Sequence, residues 1–150
     1  MFRGTYEHSI DDKGRVSVPA KFREELQATK DERVVITNFV VLQARCLEVY
    51  PFAAWVQLEE RLRTKPQFDQ RIVNFLNYYV SAAHDCVFDK QGRILLPPPL
   101  REYAGLKRDI VFTSALDKFR IWDASAWRKV RDEVEQMAME RPEAFNVLEI

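Results

Sequence analysis

An internal repeat is the feature that most constrains how this chain can fold. Residues 11–24 (DDKGRVSVPAKFRE) align without gaps with residues 89–102 (DKQGRILLPPPLRE). Six aligned pairs are identical, far more than unrelated segments share: Asp11/Asp89, Gly14/Gly92, Arg15/Arg93, Pro19/Pro97, Arg23/Arg101 and Glu24/Glu102. The repeat indicates a duplicated structural unit.

Further matches extend the repeat, since 34–37 (VVIT) resembles 110–113 (IVFT) and 47–55 (LEVYPFAAW) resembles 119–127 (FRIWDASAW). Each copy predicts the order β-β-α-β-β, giving an α+β fold with a mainly β core. Four short strands and one small helix bury little apolar surface alone. We therefore expect the two units to pack as an intramolecular pseudo-dimer, with Tyr50 and Trp122 in the shared core.

The expected strands follow from apolar patterns between turn residues. They are 4–10, 16–18, 34–37 and 47–50 in the first copy, and 82–88, 94–96, 109–113 and 119–122 in the second. Val16-Ser17-Val18 alternates like a half-buried strand, whereas Ile94-Leu95-Leu96 is apolar throughout, which predicts deeper burial. The segment 38–46 is interpreted as an apolar loop that aligns poorly with the second copy.

Longer helices are expected after each unit, and they complete the predicted domain organisation. Helices are predicted over 51–63, over 68–80 with Phe68 and Tyr79 on the apolar face, and from Asp123 or Ser125 to 140. The predicted parts are a first unit (5–52), a helical connector (53–80), a second unit (81–124), and a C-terminal helix and tail (125–150).

Composition narrows the function classes. Lys+Arg and Asp+Glu both number 23, so any anionic partner must be met by a local basic patch. Cys46 and Cys86 form no CxxC pair, and with His84 they fall short of a tetrahedral ligand set, so buried thiols and no metal or cofactor are expected. No catalytic motif, signal peptide or membrane-length apolar run is present, which predicts a cytosolic protein that is not an enzyme.

Both copies place an aspartate four residues before an arginine, across a glycine turn. One interpretation is structural: the aspartate caps the turn and forms an exposed ion pair that contributes little stability. The other is that the aspartate pre-orders a guanidinium, which then contacts guanine or phosphate in duplex DNA. The candidate DNA-binding residues are Asp11, Lys13, Gly14, Arg15, Asp89, Lys90, Gly92 and Arg93.

Three further arginines are candidates for a secondary role. Arg23, Arg101 and Arg3 are predicted either to contact the DNA backbone or to be structural. For Arg23 and Arg101 the structural alternative is an ion pair at the edge of the core with Glu24 and Glu102, and this alternative is slightly favoured.

The opening MFRG, the repeated DDKGRVSVPAKFRE and DKQGRILLPPPLREYAGL, and the downstream LEVYP and WDxxxW segments resemble the MraZ family over nearly the whole chain. The resemblance implies two fused units of the AbrB/SpoVT class, which are swapped-hairpin DNA-binding domains. It carries the DNA-contacting role onto Asp11, Arg15, Asp89 and Arg93 by their positions in the motif.

The resemblance also implies a function and an assembly. By this resemblance we expect a nucleoid-associated transcriptional regulator. It would bind short direct repeats upstream of its own division and cell-wall gene cluster and repress that cluster. Its partners would be double-stranded DNA and copies of itself in a ring, with no membrane and no small-molecule substrate. An oligomeric protein-interaction scaffold, or an antitoxin-like module of the same fold, is the alternative.

Overall fold

Antiparallel pairing organises the eight strands found in residues 1–148, the part of the chain that the computed structural model describes. The fold is α+β with a mainly antiparallel sheet core. The strands are β1 (Thr5–Ser9), β2 (Arg15–Ser17), β3 (Arg33–Val41), β4 (Ala44–Pro51), β5 (His84–Val87), β6 (Arg93–Leu95), β7 (Asp109–Ser114) and β8 (Phe119–Asp123).

Strands from the two sequence copies are interleaved in both sheets. The six-stranded sheet has the order β1-β7-β8-β4-β3-β5, and β2 pairs with β6 in a separate two-stranded sheet. The first strand of each copy therefore pairs with the third strand of the other, as β1 with β7 and β5 with β3. Neither copy completes the sheet by itself, so separating the copies would expose the backbone hydrogen-bonding groups of several strands.

The main hydrophobic core lies on one face of the six-stranded sheet. Alternate residues of β3 and β4 point into it, among them Val34, Ile36 and Leu47. The β2–β6 pair and two short helices cover this face. Phe22 lies at its centre, with its ring centroid 4.8 Å from that of Phe119, and burying such a side chain stabilises the fold by about 1.5–3 kcal/mol.

The opposite face of the sheet carries two smaller clusters, and they correct one expectation. Tyr50 packs with Val35 and Tyr79 in one cluster, and Trp122 packs with Val130 in the other. These side chains alternate with the core-facing residues of their strands, so they point away from the shared core. The prediction that Tyr50 and Trp122 lie in the shared core is wrong.

Five α-helices occur in residues 1–148, and two irregular helical segments accompany them. A π-helix (Leu76–Val80) extends the α-helix Gln70–Phe75, and a 3-10 helix (Pro142–Leu148) follows the α-helix Ala124–Glu140. None of these helices is long and apolar enough to cross a membrane. The α-helices are α1 (Ala20–Ala28), α2 (Phe52–Arg63), α3 (Gln70–Phe75), α4 (Pro98–Ala104) and α5 (Ala124–Glu140).

Two segments differ from their predicted local structure. Phe68 was expected on an apolar helix face, but it lies before α3 and is fully exposed. Asp69 accepts a hydrogen bond from the backbone N–H of Arg71 and starts the helix after it. The segment 38–46 was expected to be a loop, but β3 and β4 run through it as a hairpin. Its two-residue tip, Leu42-Gln43, takes positive φ angles of 49° and 66°.

Candidate nucleic-acid interface

The first loop (residues 11–15) is built around the Asp11 carboxylate. Its Oδ1 accepts hydrogen bonds from the backbone N–H groups of Lys13 and Arg15, both at 2.9 Å. Its Oδ2 accepts from Nε of Arg15 at 2.7 Å. One carboxylate thus fixes both the turn and the guanidinium, and Gly14 completes the turn with a φ of 85°.

The second loop (residues 89–93) repeats this geometry. Asp89 Oδ1 accepts from the backbone N–H groups of Gln91 and Arg93 at 2.8 and 2.9 Å, and Oδ2 accepts from Nε of Arg93 at 2.9 Å. Gly92 takes a φ of 74°. One difference separates the loops, because Nη2 of Arg93 also donates to Oε1 of Gln91.

The hydrogen bonds hold both aspartates in their charged form. Donation from the backbone N–H of Arg15, with further donation from its side chain, lowers the pKa of Asp11 from 3.8 to about 2. The pKa of Asp89 is lowered by the same contacts with Arg93. Each carboxylate therefore stays ionised and paired with its arginine throughout the neutral range.

The pairing of β2 with β6 brings the two arginines onto one surface. Arg15 lies opposite Leu95, and Arg93 lies opposite Ser17. Because paired residues share a face and successive residues alternate, these four side chains form the outer face of the β2–β6 ribbon. The offset of two residues puts the Cα atoms of Arg15 and Arg93 about 8 Å apart.

Burial confirms the two faces of this ribbon. Val16 and Ile94 are fully buried in the core, whereas Leu95 is 60% exposed, so the prediction that 94–96 is more deeply buried than 16–18 is wrong. The side chains of Arg15 and Arg93 are 31% and 27% exposed. Both arginine side chains thus reach solvent on the same face of the ribbon and are not fully packed inside the subunit.

Arg23 and Arg101 lie beneath the loops. Arg23 of the first copy packs against Gly92, and Arg101 of the second copy packs against Gly14. The Nε atoms of both arginines are buried and have no hydrogen-bond acceptor in the described chain. Neither arginine forms an ion pair with Glu24 or Glu102 there, so these two arginines support the turns by contact and not by charge pairing.

The remaining cationic candidates occupy different places. Lys13 and Lys90 are exposed at the loop tips and form no ion pair within residues 1–148. Arg3 is exposed before the start of β1, whereas the first loop follows the end of that strand. Seven residues of mostly extended chain lie between Arg3 and Asp11, a span of about 26 Å, so Arg3 lies at the other end of β1 from the first loop.

Sequence reasoning missed three residues of this surface, Ser17, Leu95 and Gln91. The alternation around Ser17 was visible in the sequence, but the pairing of β2 with β6, which places Leu95 outside, joins residues nearly eighty positions apart. Gln91 was passed over because its aligned partner is Lys13, a residue of different chemistry.

The cysteines take no part in this surface. Cys46 and Cys86 are both free and buried, and they lie in different clusters. Burial raises the pKa of the Cys46 thiol to about 12 and that of Cys86 to about 11, so both stay protonated near neutral pH. Within residues 1–148 no three His, Cys, Asp or Glu side chains come together in a way that could hold a metal ion.

Comparison with known protein families finds one family model that matches this chain. The family model described as "MraZ protein, putative antitoxin-like" matches residues 1–76 and 80–149, nearly the whole chain in two adjoining segments. The chain belongs to the MraZ family. Each of the two MraZ matches contains one aspartate–glycine–arginine loop.

Individual MraZ proteins are similar to this chain over most or nearly all of their length. The transcriptional regulator MraZ of Thioalkalivibrio sulfidiphilus is 41% identical over 99% of this chain and 97% of its own. That of Moorella thermoacetica is 41% identical over 92% of this chain and 94% of its own. The transcriptional regulator MraZ of Parafrankia sp. is 44% identical over 85% and 84% of the two chains.

Proposed function

We propose that this protein is a transcriptional regulator that binds double-stranded DNA through the outer face of the β2–β6 ribbon. The observation that carries the proposal is the adjacency of Arg15 and Arg93 on that face, each braced by an aspartate. Relatives named transcriptional regulators support the same function, as does their similarity over full length. A role on DNA would place the protein in the cytoplasm, at the nucleoid.

A two-stranded ribbon has dimensions that fit the major groove of B-DNA. Nε of Arg15 donates to Asp11, whereas Nη1 and Nη2 of Arg15 have no acceptor within residues 1–148. These two terminal nitrogens can therefore donate to O6 and N7 of a guanine. Lys13 and Lys90, exposed at the loop tips, would contact phosphates and add a salt-dependent contribution to affinity.

The proposal extends to how the chain is organised. The exchange of first strands between the copies supports two AbrB-like units, 5–52 and 81–124, in a swapped-hairpin arrangement. Residues 53–80 would connect them, and 125–150 would form the C-terminal helix and tail.

Assembly of several copies into a ring would explain how a chain of zero net charge binds DNA tightly. One subunit of zero net charge with a local basic surface binds weakly. Several ribbons on one face of a ring act together, because linked sites raise the apparent affinity strongly. Such a ring matches short direct repeats in a promoter, and the regulator would bind repeats upstream of its own division and cell-wall gene cluster and repress it.

A second function, an antitoxin-like protein-interaction scaffold, is favoured by one observation. The net charge is zero, which suits a protein partner better than a polyanion. In that case the exposed Leu95 between the two arginines would lie against a protein surface. The fold would be the same, and only the partner would differ.

A gel-shift titration with the DNA immediately upstream of the gene distinguishes the two functions. The regulator predicts a discrete shifted species whose affinity falls steeply between 50 and 200 mM salt, in proportion to the number of phosphate contacts. The species should contain more than one protein chain by mass. An intact oligomer that shifts neither this duplex nor a random one at low salt would favour the scaffold.

A further inference from the structure

The two arginines of the ribbon are not equivalent, although the repeat makes their loops alike. Both use Nε to bond an aspartate. Arg93 additionally donates from Nη2 to Oε1 of Gln91, while the terminal nitrogens of Arg15 have no acceptor in the described chain. One of the two groups with which a guanidinium contacts guanine end-on is therefore already bonded in the second loop.

Gln91 brings its own hydrogen-bonding groups to the surface. Its Oε1 faces Arg93, so its Nε2, with two N–H donors, points away from that bond. Nε2 has no acceptor within residues 1–148, and Gln91 is exposed at the loop tip. A glutamine amide in the major groove recognises adenine or donates to a base acceptor, whereas a lone guanidinium prefers guanine.

The equivalent position of the first loop has different chemistry. Lys13 aligns with Gln91, and an ammonium group acts as a mobile point charge suited to phosphate. It has no oxygen with which to hold Arg15. The first loop thus presents a guanidinium whose terminal nitrogens have no acceptor in the described chain, with a lysine at its tip, and the second presents a guanidinium and an amide bonded as one unit.

We propose that Gln91 is a specificity-determining residue that makes the second loop select a different base pair from the first. This proposal rests on the proposed DNA-binding function. Its consequence is that the two halves of the chain recognise unlike base pairs, so one subunit contacts a site without two-fold symmetry. A site of this kind has a direction, and several subunits facing the same way would match boxes repeated in one orientation.

Selection of bound sequences from a pool of duplexes with a randomised core tests the assignment. The full-length protein is compared with Gln91→Met, which keeps the length of the side chain and its neutrality but removes the amide. Gln91→Glu is the second variant, because it keeps an oxygen for Arg93 and removes the N–H donors. The matched control is Gln57→Met on the exposed surface of α2.

We expect the parent and Gln57→Met to select the same sequence. Both Gln91 variants should lose at least about fivefold in preference at one base-pair position, with the other positions unchanged. Selection of the same sequence by all four proteins, with equal preference throughout, would overturn the assignment of Gln91 and leave the DNA-binding function standing. Failure of the parent to enrich any sequence would overturn both.

Discussion

The guanidinium of Arg101 lies so close to Gly14 that a Cβ atom built on this glycine would be 2.5 Å from Cζ of the arginine. Arg23 has the same relation to Gly92. Each loop therefore rests on a helix that belongs to the other copy of the repeat. The geometry of the outer face of the β2–β6 ribbon consequently depends on the association of the two copies.

The close contact predicts that Gly14 cannot be replaced without cost. Gly14→Ala should lower the free energy of unfolding by about 2 kcal/mol or more, since the alanine must adopt a positive φ and also displace Arg101. Gly105→Ala is the matched control, because Gly105 has a positive φ but nothing within 4 Å of an added Cβ. Gly105→Ala should lower the free energy of unfolding by only about 1 kcal/mol. Urea denaturation followed by circular dichroism measures both.

A double-mutant cycle separates the contact from the backbone strain. We expect Gly14→Ala to cost less in an Arg101→Ala background than in the parent, because the clashing side chain is gone. Only the contribution of the positive φ should remain. Costs that simply add, within about 0.5 kcal/mol, would show that Arg101 does not limit the space at Gly14.

Acid should loosen the first loop in a defined range of pH. The pKa of Asp11 is lowered to about 2 in the folded chain, chiefly because the Arg15 backbone and side chain donate to its carboxylate. A depressed folded pKa contributes stability that is fully present above the unfolded value of 3.8 and is lost as the pH falls through about 2. The carboxyl carbon of Asp11, followed by NMR, should titrate near pH 2.

Arg15→Ala provides the comparison for that titration. Removing the guanidinium should raise the pKa of Asp11 toward its ordinary value, although the two backbone N–H donors remain. An Asp11 carboxyl that titrates near 3.8 in the parent would mean that the aspartate does not brace the arginine in solution.

A buried polar network on the sheet face opposite the ribbon should contribute to the stability of the fold and not to its affinity for DNA. Glu48 is 1% exposed and accepts hydrogen bonds from the hydroxyl of Tyr79 and, at 2.8 Å, from Nε of Arg120. Tyr79→Phe leaves the carboxylate short of a donor and should cost about 1–3 kcal/mol. Tyr103→Phe, which removes a half-buried hydroxyl bonded to Tyr78, should cost less.

The affinity of Tyr79→Phe for DNA provides a second measurement. Glu48 lies on the sheet face opposite the ribbon and Tyr79 packs against that face, so a folded Tyr79→Phe protein should bind a given duplex within about twofold of the parent. A large loss of affinity with unchanged oligomer size would indicate that the surface proposed here is not where DNA binds.

Local chemistry made much of the fold predictable from the sequence. The repeat predicted matching strands and helices, Gly105 ends α4 in the left-handed conformation, and Asp123 caps α5. The two loops were also predictable, because an aspartate, a glycine and an arginine at fixed spacing satisfy one another locally.

Features that depend on distant pairing were not predictable from the sequence in the same way. Tyr50 and Trp122 are large and apolar, but the register of β4 with β8 decides which face they occupy. Leu95 is exposed because β6 lies beside β2, and the apolar pattern alone cannot show that. Phe68 falls outside its helix because Asp69 caps the chain after it.

If the aspartate-braced Arg15 and Arg93 contact bases, the double variant Arg15→Ala/Arg93→Ala should bind much more weakly than the parent to a duplex that the parent binds. Arg71→Ala is the matched control, because Arg71 is also paired with an aspartate, at 2.8 Å, but lies on α3 away from the ribbon. At fixed salt, fluorescence anisotropy should give the double variant a Kd at least about thirtyfold above that of the parent, and Arg71→Ala a Kd within about twofold of it. A folded, oligomeric double variant that binds the duplex as tightly as the parent would contradict the account.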